Sequence, residues 1–180
     1  QTHHELLQDD EVEAVAIVLG HMMHHQLTID ACNTGKHVMV EKPMAINEAQ
    51  LSLLAQHFKE PATESNQGRI PSLLVGFNRR FSPMIRSIKD FMADVQEPLA
   101  IRCRVNAGFL SSDHWTNDPE IGGGRVIGEL CHFVDTLTYL AGARPSRVFA
   151  RSLGDSGKYS GDNVIAILDF DNGAVGEITY

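Results

Sequence analysis

Three short apolar runs, separated by segments with helical patterns, restrict the fold of this chain most strongly. Residues 14–19, 38–40 and 73–75 are apolar and of strand length, as is typical of strands covered on both faces of a parallel sheet. Residues 25–33 and the segment that begins at Asn47 have helical patterns, and the polar residues 61–71 predict a surface loop. The order strand, helix, strand, helix, strand predicts an α/β fold with a parallel sheet.

The second half of the chain has a different pattern. It predicts a helix over about residues 83–93, an alternating strand over 99–106 and a helix over 126–140. Three further strands are expected near residues 147–152, 163–170 and 174–180, with a hairpin turn at Asp171-Asn172-Gly173 before the last one. We therefore expect a parallel-sheet domain over residues 1–80 and an α+β domain with a mostly antiparallel sheet over residues 81–180.

The composition argues against several classes of protein. The chain of 180 residues is 43% hydrophobic and 21% charged, which is typical of a globular protein. Its 23 acidic and 15 basic residues give a formal charge of −8, which argues against nucleic acid or an anionic membrane as a partner. Three separated cysteines without a CxxC pair fit a reducing cytoplasm, and no apolar run reaches the ~20 residues of a membrane span.

The segment Glu41-Lys42-Pro43 follows the second predicted strand. Ligands bind at the carboxyl ends of the strands in open α/β sheets, so Lys42 is a candidate to exchange a proton with a substrate hydroxyl. Pro43 is a candidate for a cis peptide bond. The alternative is a solvated lysine beside a turn that starts a helix.

His132 lies within the apolar helix predicted after Gly122-Gly123-Gly124. Glu129 and Asp135 are three residues away on either side and share its helical face. A carboxylate near an imidazole fixes its tautomer and favours its charged form, which suits a general acid or base. The alternative is a hydrogen-bonded histidine of the core.

Three motifs in this order resemble the Gfo/Idh/MocA family of NAD(P)-dependent oxidoreductases. The first runs from Gly35-Lys36-His37-Val38 to Glu41-Lys42-Pro43, the second is GFNRRFSP at residues 76–83, and the third is GGGR at residues 122–125 with ELCHFVD at 129–135. With Trp115 upstream, the third motif most resembles the branch that is fused to a zinc-alcohol-dehydrogenase-like domain. The resemblance covers about residues 10 to 180.

The resemblance implies the C-terminal half of a Rossmann parallel sheet, followed by a domain with an open, mostly antiparallel sheet. It implies hydride transfer between NAD or NADP and a carbinol carbon of a sugar, cyclitol or similar polyol, by a homodimer or higher homo-oligomer. The implied catalytic residues are Lys42 and His132. The implied cofactor contacts are Gly20, His24, Glu41, Lys42 and Pro43, and the implied substrate contacts are Arg79, His114, Trp115, Glu129 and Asp135.

The sequence departs from the family pattern in three places. Leu19-Gly20 stands where the family has a polar pair such as Thr-Pro, and Gly128 stands where many members have Asp. The GxGxxG phosphate turn and the acidic ribose ligand are absent from the sequence, and two β-α units, roughly 60 residues, are expected before the first strand. We interpret the chain as a fragment that is inactive by itself and binds NAD(P) weakly or not at all. Residues 14–19 would then form an apolar edge strand, prone to pair with a second copy.

Two classes of function stay open on the sequence. One is a truncated nicotinamide-dependent oxidoreductase, and the other is a non-enzymatic binding or dimerisation module that keeps the fold without the cofactor loop. A metal site built on His21, His24 and His25 is not expected, because no Cys, Asp or Glu lies within this cluster to complete it.

Overall fold

The structure is a computed structural model that describes residues 2–59, 71–154 and 161–180. The predicted loop from Pro61 falls almost entirely outside the described residues. The chain divides into two compact units, one formed by residues 1–76 and 118–123 and the other by residues 77–117 and 124–180. The two units are described in turn. The expected domain ranges, 1–80 and 81–180, stay a prediction.

The first unit contains the predicted parallel sheet. Its elements are α1 (His3–Leu7), β1 (Ala14–Ile17), α2 (His24–Asn33), β2 (His37–Val40), α3 (Glu48–His57) and β3 (Leu73–Val75), with a 3-10 helix at His21–Met23. The strands lie in the order β1-β2-β3 and are all parallel, so that Ile17 pairs with Val40 and Val40 with Val75. The α/β arrangement predicted from the three apolar runs is therefore confirmed.

Local sequence signals account for the start of α3 and the end of α2. The Asn47 side chain accepts a hydrogen bond from the backbone N–H of Gln50 at 3.0 Å and caps α3, as predicted. Gly35, with φ of 74°, follows α2 in the left-handed region that glycine tolerates. The buried ammonium of Lys36 then donates to the carbonyl oxygens of Asp9 and Val12 at 2.8 and 2.7 Å, which fixes the chain before β1.

One face of this sheet is covered and the other is open. Val38 and Val40 pack against Ala31 and Cys32 of α2, and burial raises the pKa of the Cys32 thiol to about 11. On the opposite face Ala14, Ala16 and Leu74 are exposed. In the described part of the chain Leu7 of α1 and the residues of α2 pack on the first of these faces, so this sheet is covered there on one face. β1 lies at the edge of the sheet, as expected.

The second unit contains a mixed four-stranded sheet. Its elements are α4 (Pro83–Phe91), β4 (Ala100–Arg104), α5 (Cys131–Ala141), β5 (Pro145–Ser152), β6 (Val164–Phe170) and β7 (Val175–Thr179), with 3-10 helices at Asn78–Phe81 and Trp115–Asn117 and a π-helical turn at Val126–Leu130. The strand order is β4-β7-β6-β5, in which β4 and β7 are parallel and the other pairs antiparallel. The mostly antiparallel sheet and the hairpin before β7 are thus as predicted.

Helix α5 packs on one face of this sheet. Leu137 of α5 lies against the backbone of Gly176 in β7, where a Cβ atom would be 2.6 Å from Leu137 Cδ2 and 3.1 Å from Phe170 Cε2. Gly142, with φ of 70°, ends the helix as predicted. The opposite face of the sheet is open, with Phe149, Ile165 and Ile167 exposed.

The contact between Leu137 and Gly176 predicts a stability effect. Gly176→Ala should lower the free energy of unfolding by about 1–3 kcal/mol, because the new methyl group would clash with Leu137 and Phe170, which are both buried and have no space to move away. Urea denaturation measures the change. On a Leu137→Ala background the same substitution should cost less than about 1 kcal/mol. Gly154→Ala, whose Cβ would meet nothing within 4 Å, is the control; an equal loss for Gly154→Ala would contradict the packing argument.

Candidate functional site

The Glu41-Lys42-Pro43 turn lies at the carboxyl end of β2, the middle strand of the parallel sheet. The Lys42–Pro43 peptide bond is cis. The backbone N–H of Lys42 donates to Glu41 Oε2 at 3.1 Å, so the Glu41 carboxylate folds back over the turn. Both Glu41 and Lys42 are half-buried, which is suitable for groups that must meet a ligand and still be held in place.

Gly76 allows the Glu41 side chain to lie close to the neighbouring chain. A Cβ atom at Gly76 would lie 3.2 Å from both Cδ and Oε2 of Glu41. The Gly76 backbone N–H also donates to the carbonyl oxygen of Val40 at 2.8 Å. A glycine directly after β3 is therefore part of what positions Glu41.

His24, the first residue of α2, joins the turn after β2 to the chain after β1. Its ring is fully buried, with Nδ1 at 2.7 Å from the Pro43 carbonyl oxygen and Nε2 at 3.0 Å from the Leu19 carbonyl oxygen. A carbonyl oxygen only accepts hydrogen bonds, so a ring nitrogen that carries the proton donates to its carbonyl partner. His24 thus holds the Lys42–Pro43 turn from beneath.

Gly20 and His21 lie next to this histidine. Gly20 is exposed and precedes the 3-10 helix, and no atom lies within 4 Å of the position where a Cβ would be. His21 Nδ1 lies 2.9 Å from the Gly122 carbonyl oxygen, and the His21 and His24 ring centroids are 5.7 Å apart. Within the described residues, no group of three His, Cys, Asp or Glu side chains is arranged to hold a metal ion.

His132 is in the first turn of α5, directly after the π-helical turn. It is buried, and the edge of its ring meets the Phe77 ring with centroids 6.2 Å apart and planes at 73°. π-helical turns are rare and are frequent at functional sites. The sequence pattern predicts one continuous α-helix here, because it does not show the extra residue of the π turn.

Asp135, a predicted substrate contact, is paired within the protein. Its buried carboxylate accepts hydrogen bonds from Arg80 Nε at 2.9 Å and from Arg80 Nη2. The hydrogen bond to Asp135 raises the pKa of the Arg80 guanidinium. Sequence reasoning did not find the role of Arg80; the RR pair at residues 79 and 80 is the signal that could have found it.

The other predicted substrate contacts lie at separate places in the second unit. Arg79 is exposed, and its guanidinium lies 4.6 Å from the centroid of the Phe133 ring. His114 and Trp115 are neighbours, with ring centroids 5.9 Å apart, and His114 Nδ1 lies 2.9 Å from Thr116 Oγ1.

Glu129 is on the π-helical turn and is half-buried. Its charge contributes to the raised pKa of Tyr180, whose largest cause is burial of the phenol. Arg125 Nε donates to Tyr180 Oη at 3.2 Å, and Nη1 donates to the Gly108 carbonyl oxygen at 2.9 Å. Arg125 and Tyr180 line a cavity of about 190 Å³, and the sequence analysis did not single out either residue as a candidate.

Comparison with known families agrees with these features. The model of an oxidoreductase family with an NAD-binding Rossmann fold, GFO/IDH/MocA, matches residues 1–63, and the model of the GFO/IDH/MocA C-terminal domain matches residues 94–180. The chain therefore belongs to the Gfo/Idh/MocA family of NAD-binding oxidoreductases. Its place in the branch fused to a zinc-alcohol-dehydrogenase-like domain stays a prediction.

Individual relatives are similar along almost all of the chain. The myo-inositol 2-dehydrogenase of Thermotoga maritima is 26% identical over 97% of this chain and 51% of that protein. The NAD-dependent scyllo-inositol 2-dehydrogenase of Bacillus subtilis is 26% identical over 97% of this chain and 50% of that protein. The crystal structure of an NAD-binding oxidoreductase from Klebsiella pneumoniae has a TM-score of 0.80, at 26% identity over 99% of this chain and 50% of that one. The chain thus spans about half the length of the relatives it matches.

The two contacts of His24 predict that it stabilises the first unit. His24→Ala should lower the free energy of unfolding by about 2–4 kcal/mol, because it empties a buried site and removes the imidazole contacts to the carbonyl oxygens of Pro43 and Leu19. The measurement is urea denaturation, followed by circular dichroism. The matched control is Gln26→Ala on the exposed side of the same helix, with an expected change within about 0.5 kcal/mol. Equal effects of the two substitutions would contradict the role of His24.

Proposed function

We propose that this chain is part of an NAD(P)-dependent oxidoreductase that transfers a hydride to or from a carbinol carbon of a sugar, cyclitol or similar polyol. The observation that carries the proposal is the Glu41-Lys42-Pro43 turn at the carboxyl end of β2, held by the buried His24. Ligands of parallel α/β sheets bind at this edge. The inositol dehydrogenases among the relatives support a polyol as the substrate class.

The residues present fit one part of the cofactor. Gly20, Glu41, Lys42 and Pro43 supply backbone and side-chain groups beside the ends of β1 and β2, where a nicotinamide ring would be held. The predicted cofactor contact His24 instead supports this turn from inside the protein, because its buried ring nitrogens lie at the carbonyl oxygens of Pro43 and Leu19. The GxGxxG turn that binds a pyrophosphate is absent from the 180 residues. We therefore propose that this chain alone binds NAD or NADP weakly or not at all and is inactive alone.

The proton of the reaction is assigned to Lys42 and His132. When a carbinol is oxidised, its C–H bond gives a hydride and its O–H bond gives a proton, and a carbonyl is left. A nicotinamide, when bound, takes or supplies the hydride. Lys42 and His132 would take the proton from the hydroxyl or return it. Arg79, His114, Trp115 and Glu129 are proposed to contact the substrate. The Asp135 carboxylate is bound by Arg80 and is proposed to act on the site only through α5.

The activity is tested on the product of the complete reading frame that contains these residues. We expect reduction of NAD⁺ or NADP⁺ at 340 nm with at least one member of a panel of inositols and aldoses. Lys42→Ala and His132→Ala should each lower kcat by about 10²- to 10⁴-fold, because a positioned acid or base contributes this much. The controls are His57→Ala, at the last residue of α3, and Lys59→Ala, just after this helix. No turnover with any polyol and either cofactor would overturn the proposal.

The other candidate function is a non-enzymatic binding or dimerisation module. The open face of the second sheet favours it, because Phe149, Ile165, Ile167 and Val175 leave apolar surface exposed there. The two functions are compatible at this surface. We propose that the same face joins two copies into a homodimer.

The dimer is tested by multi-angle light scattering. The wild-type chain should have about twice the mass of one chain, 19.8 kDa, and Phe149→Asp, which introduces a charge into the apolar face, should give the monomer. Phe91→Asp at the end of α4 is the matched control, since Phe91 is also exposed and lies outside this sheet. A monomeric wild type, or a dimer that survives Phe149→Asp, would contradict the interface.

The remaining expectations concern location and other partners. No helix in the described part of the chain is long and apolar enough to cross a membrane. A cytoplasmic location, and the expectation that neither nucleic acid nor a membrane is a partner, stay predictions drawn from the charge of −8 and the separated cysteines.

A further inference from the structure

The short segment from Phe77 to Arg80 contacts helix α5 over two turns. The Phe77 ring meets His132, Arg79 lies over Phe133, and Arg80 binds Asp135. The Arg80 guanidinium also lies 5.5 Å from the centroid of the Tyr139 ring, one turn further along α5. This segment therefore fixes the rotation of the helix that carries His132.

Asp135 brings a buried negative charge onto the helix that carries His132. Its side chain is 8% exposed, and it follows His132 by three residues, so the two side chains are neighbours on one helical face. An uncompensated carboxylate at this position would favour the charged form of the imidazole. Both oxygens of Asp135 accept hydrogen bonds from Arg80, whose positive charge balances the carboxylate.

We propose that Arg80 is a positioning residue for His132, which orients α5 through Asp135 and prevents the Asp135 carboxylate from holding the imidazole in its charged form. This inference rests on the proposed role of His132 as an acid or base. The chemistry needs an imidazole that both takes and returns a proton, which requires a balanced surrounding charge. Arg80 is not among the site residues predicted from the sequence, and no predicted residue was given this role.

Other charged groups near α5 in the described part of the second unit have further partners. Glu129, on the preceding π turn, adds a second negative charge that acts on Tyr180 of the neighbouring sheet. The charge of Arg79 acts on Cys103 of β4, whose pKa is raised by burial. Lys89 of α4 donates to the Leu140 carbonyl oxygen at 2.9 Å, at the far end of α5. Arg80 is the cation that binds Asp135.

The test compares variants that remove one charge or both. Arg80→Gln removes the cation and should raise the midpoint of the His132 imidazole titration by at least about 0.5 pH unit. Asp135→Asn removes the anion and should lower the midpoint. The double variant Arg80→Gln/Asp135→Asn should return it to within about 0.2 pH unit of the wild type, because each change cancels the other. Arg147→Gln, at an exposed arginine of β5 beside Asp169, is the control and should change it by less than about 0.2 pH unit.

The titration is followed by NMR on the ring Cε1–H signal of His132, assigned with a His132→Gln variant. This readout does not need turnover. In the active protein, Arg80→Gln should also shift the acidic limb of the plot of kcat against pH to a higher pH by the same amount. KM should change by less than about threefold. Arg80→Lys, which keeps the charge and loses the double hydrogen bond, should recover the midpoint and only part of kcat.

The outcomes separate this inference from the proposed function. Shifts of opposite sign that cancel in the double variant support the role of Arg80. If His132→Gln nevertheless retains full turnover, only the proposed catalytic role of His132 fails. Shifts of the same sign, or no shift in a folded Arg80→Gln or Asp135→Asn variant, would overturn the inference. If Arg80→Gln does not fold, Arg80→Lys and Asp135→Asn decide the question with the same readout.

Discussion

The hydrogen bonds of the buried His24 hold together the candidate site of the first unit. In a parallel sheet each strand end is followed by a separate segment, and side chains must join these segments if they are to act together. His24 contacts the carbonyl oxygens of Leu19 after β1 and of Pro43 after β2. The position of Lys42 therefore depends on a residue 18 positions earlier that is itself buried beneath the turn. Replacement of the family's polar pair by Leu19-Gly20 leaves this arrangement possible, because the contact at this point uses a backbone carbonyl.

The elements were largely predictable from the sequence because they depend on local signals. The apolar runs, the Asn47 cap, the glycines after α2 and α5 and the hairpin turn before β7 all act within a few residues, and the structure has each of them. The cover of the first sheet was not predictable in this way. An apolar run such as residues 14–19 shows that a strand avoids water, but it does not show whether one face or both are covered by this chain.

The candidate sites depend on contacts between distant residues, which local patterns do not reveal. The family resemblance implied that Asp135 contacts substrate, and its shared helical face with His132 placed it near the candidate acid or base. Its partner Arg80 lies 55 residues earlier in the chain, and only the fold shows that the carboxylate is already paired. In the same way, the three-residue spacing of His21 and His24 does not show that both rings lie at backbone carbonyl oxygens. Charge and spacing identify candidates, but the partner of each side chain decides its role.

Hydride transfer from a labelled substrate is the most direct test of the central claim. The product of the complete reading frame would be incubated with NAD⁺ or NADP⁺ and an inositol deuterated at its ring carbons, and the reduced cofactor would be examined by NMR. The account predicts deuterium at C4 of the nicotinamide ring, and formation of this labelled cofactor about 10²- to 10⁴-fold more slowly when Lys42 or His132 is replaced by Ala. Absence of reduced cofactor, or reduced cofactor without deuterium, would contradict it.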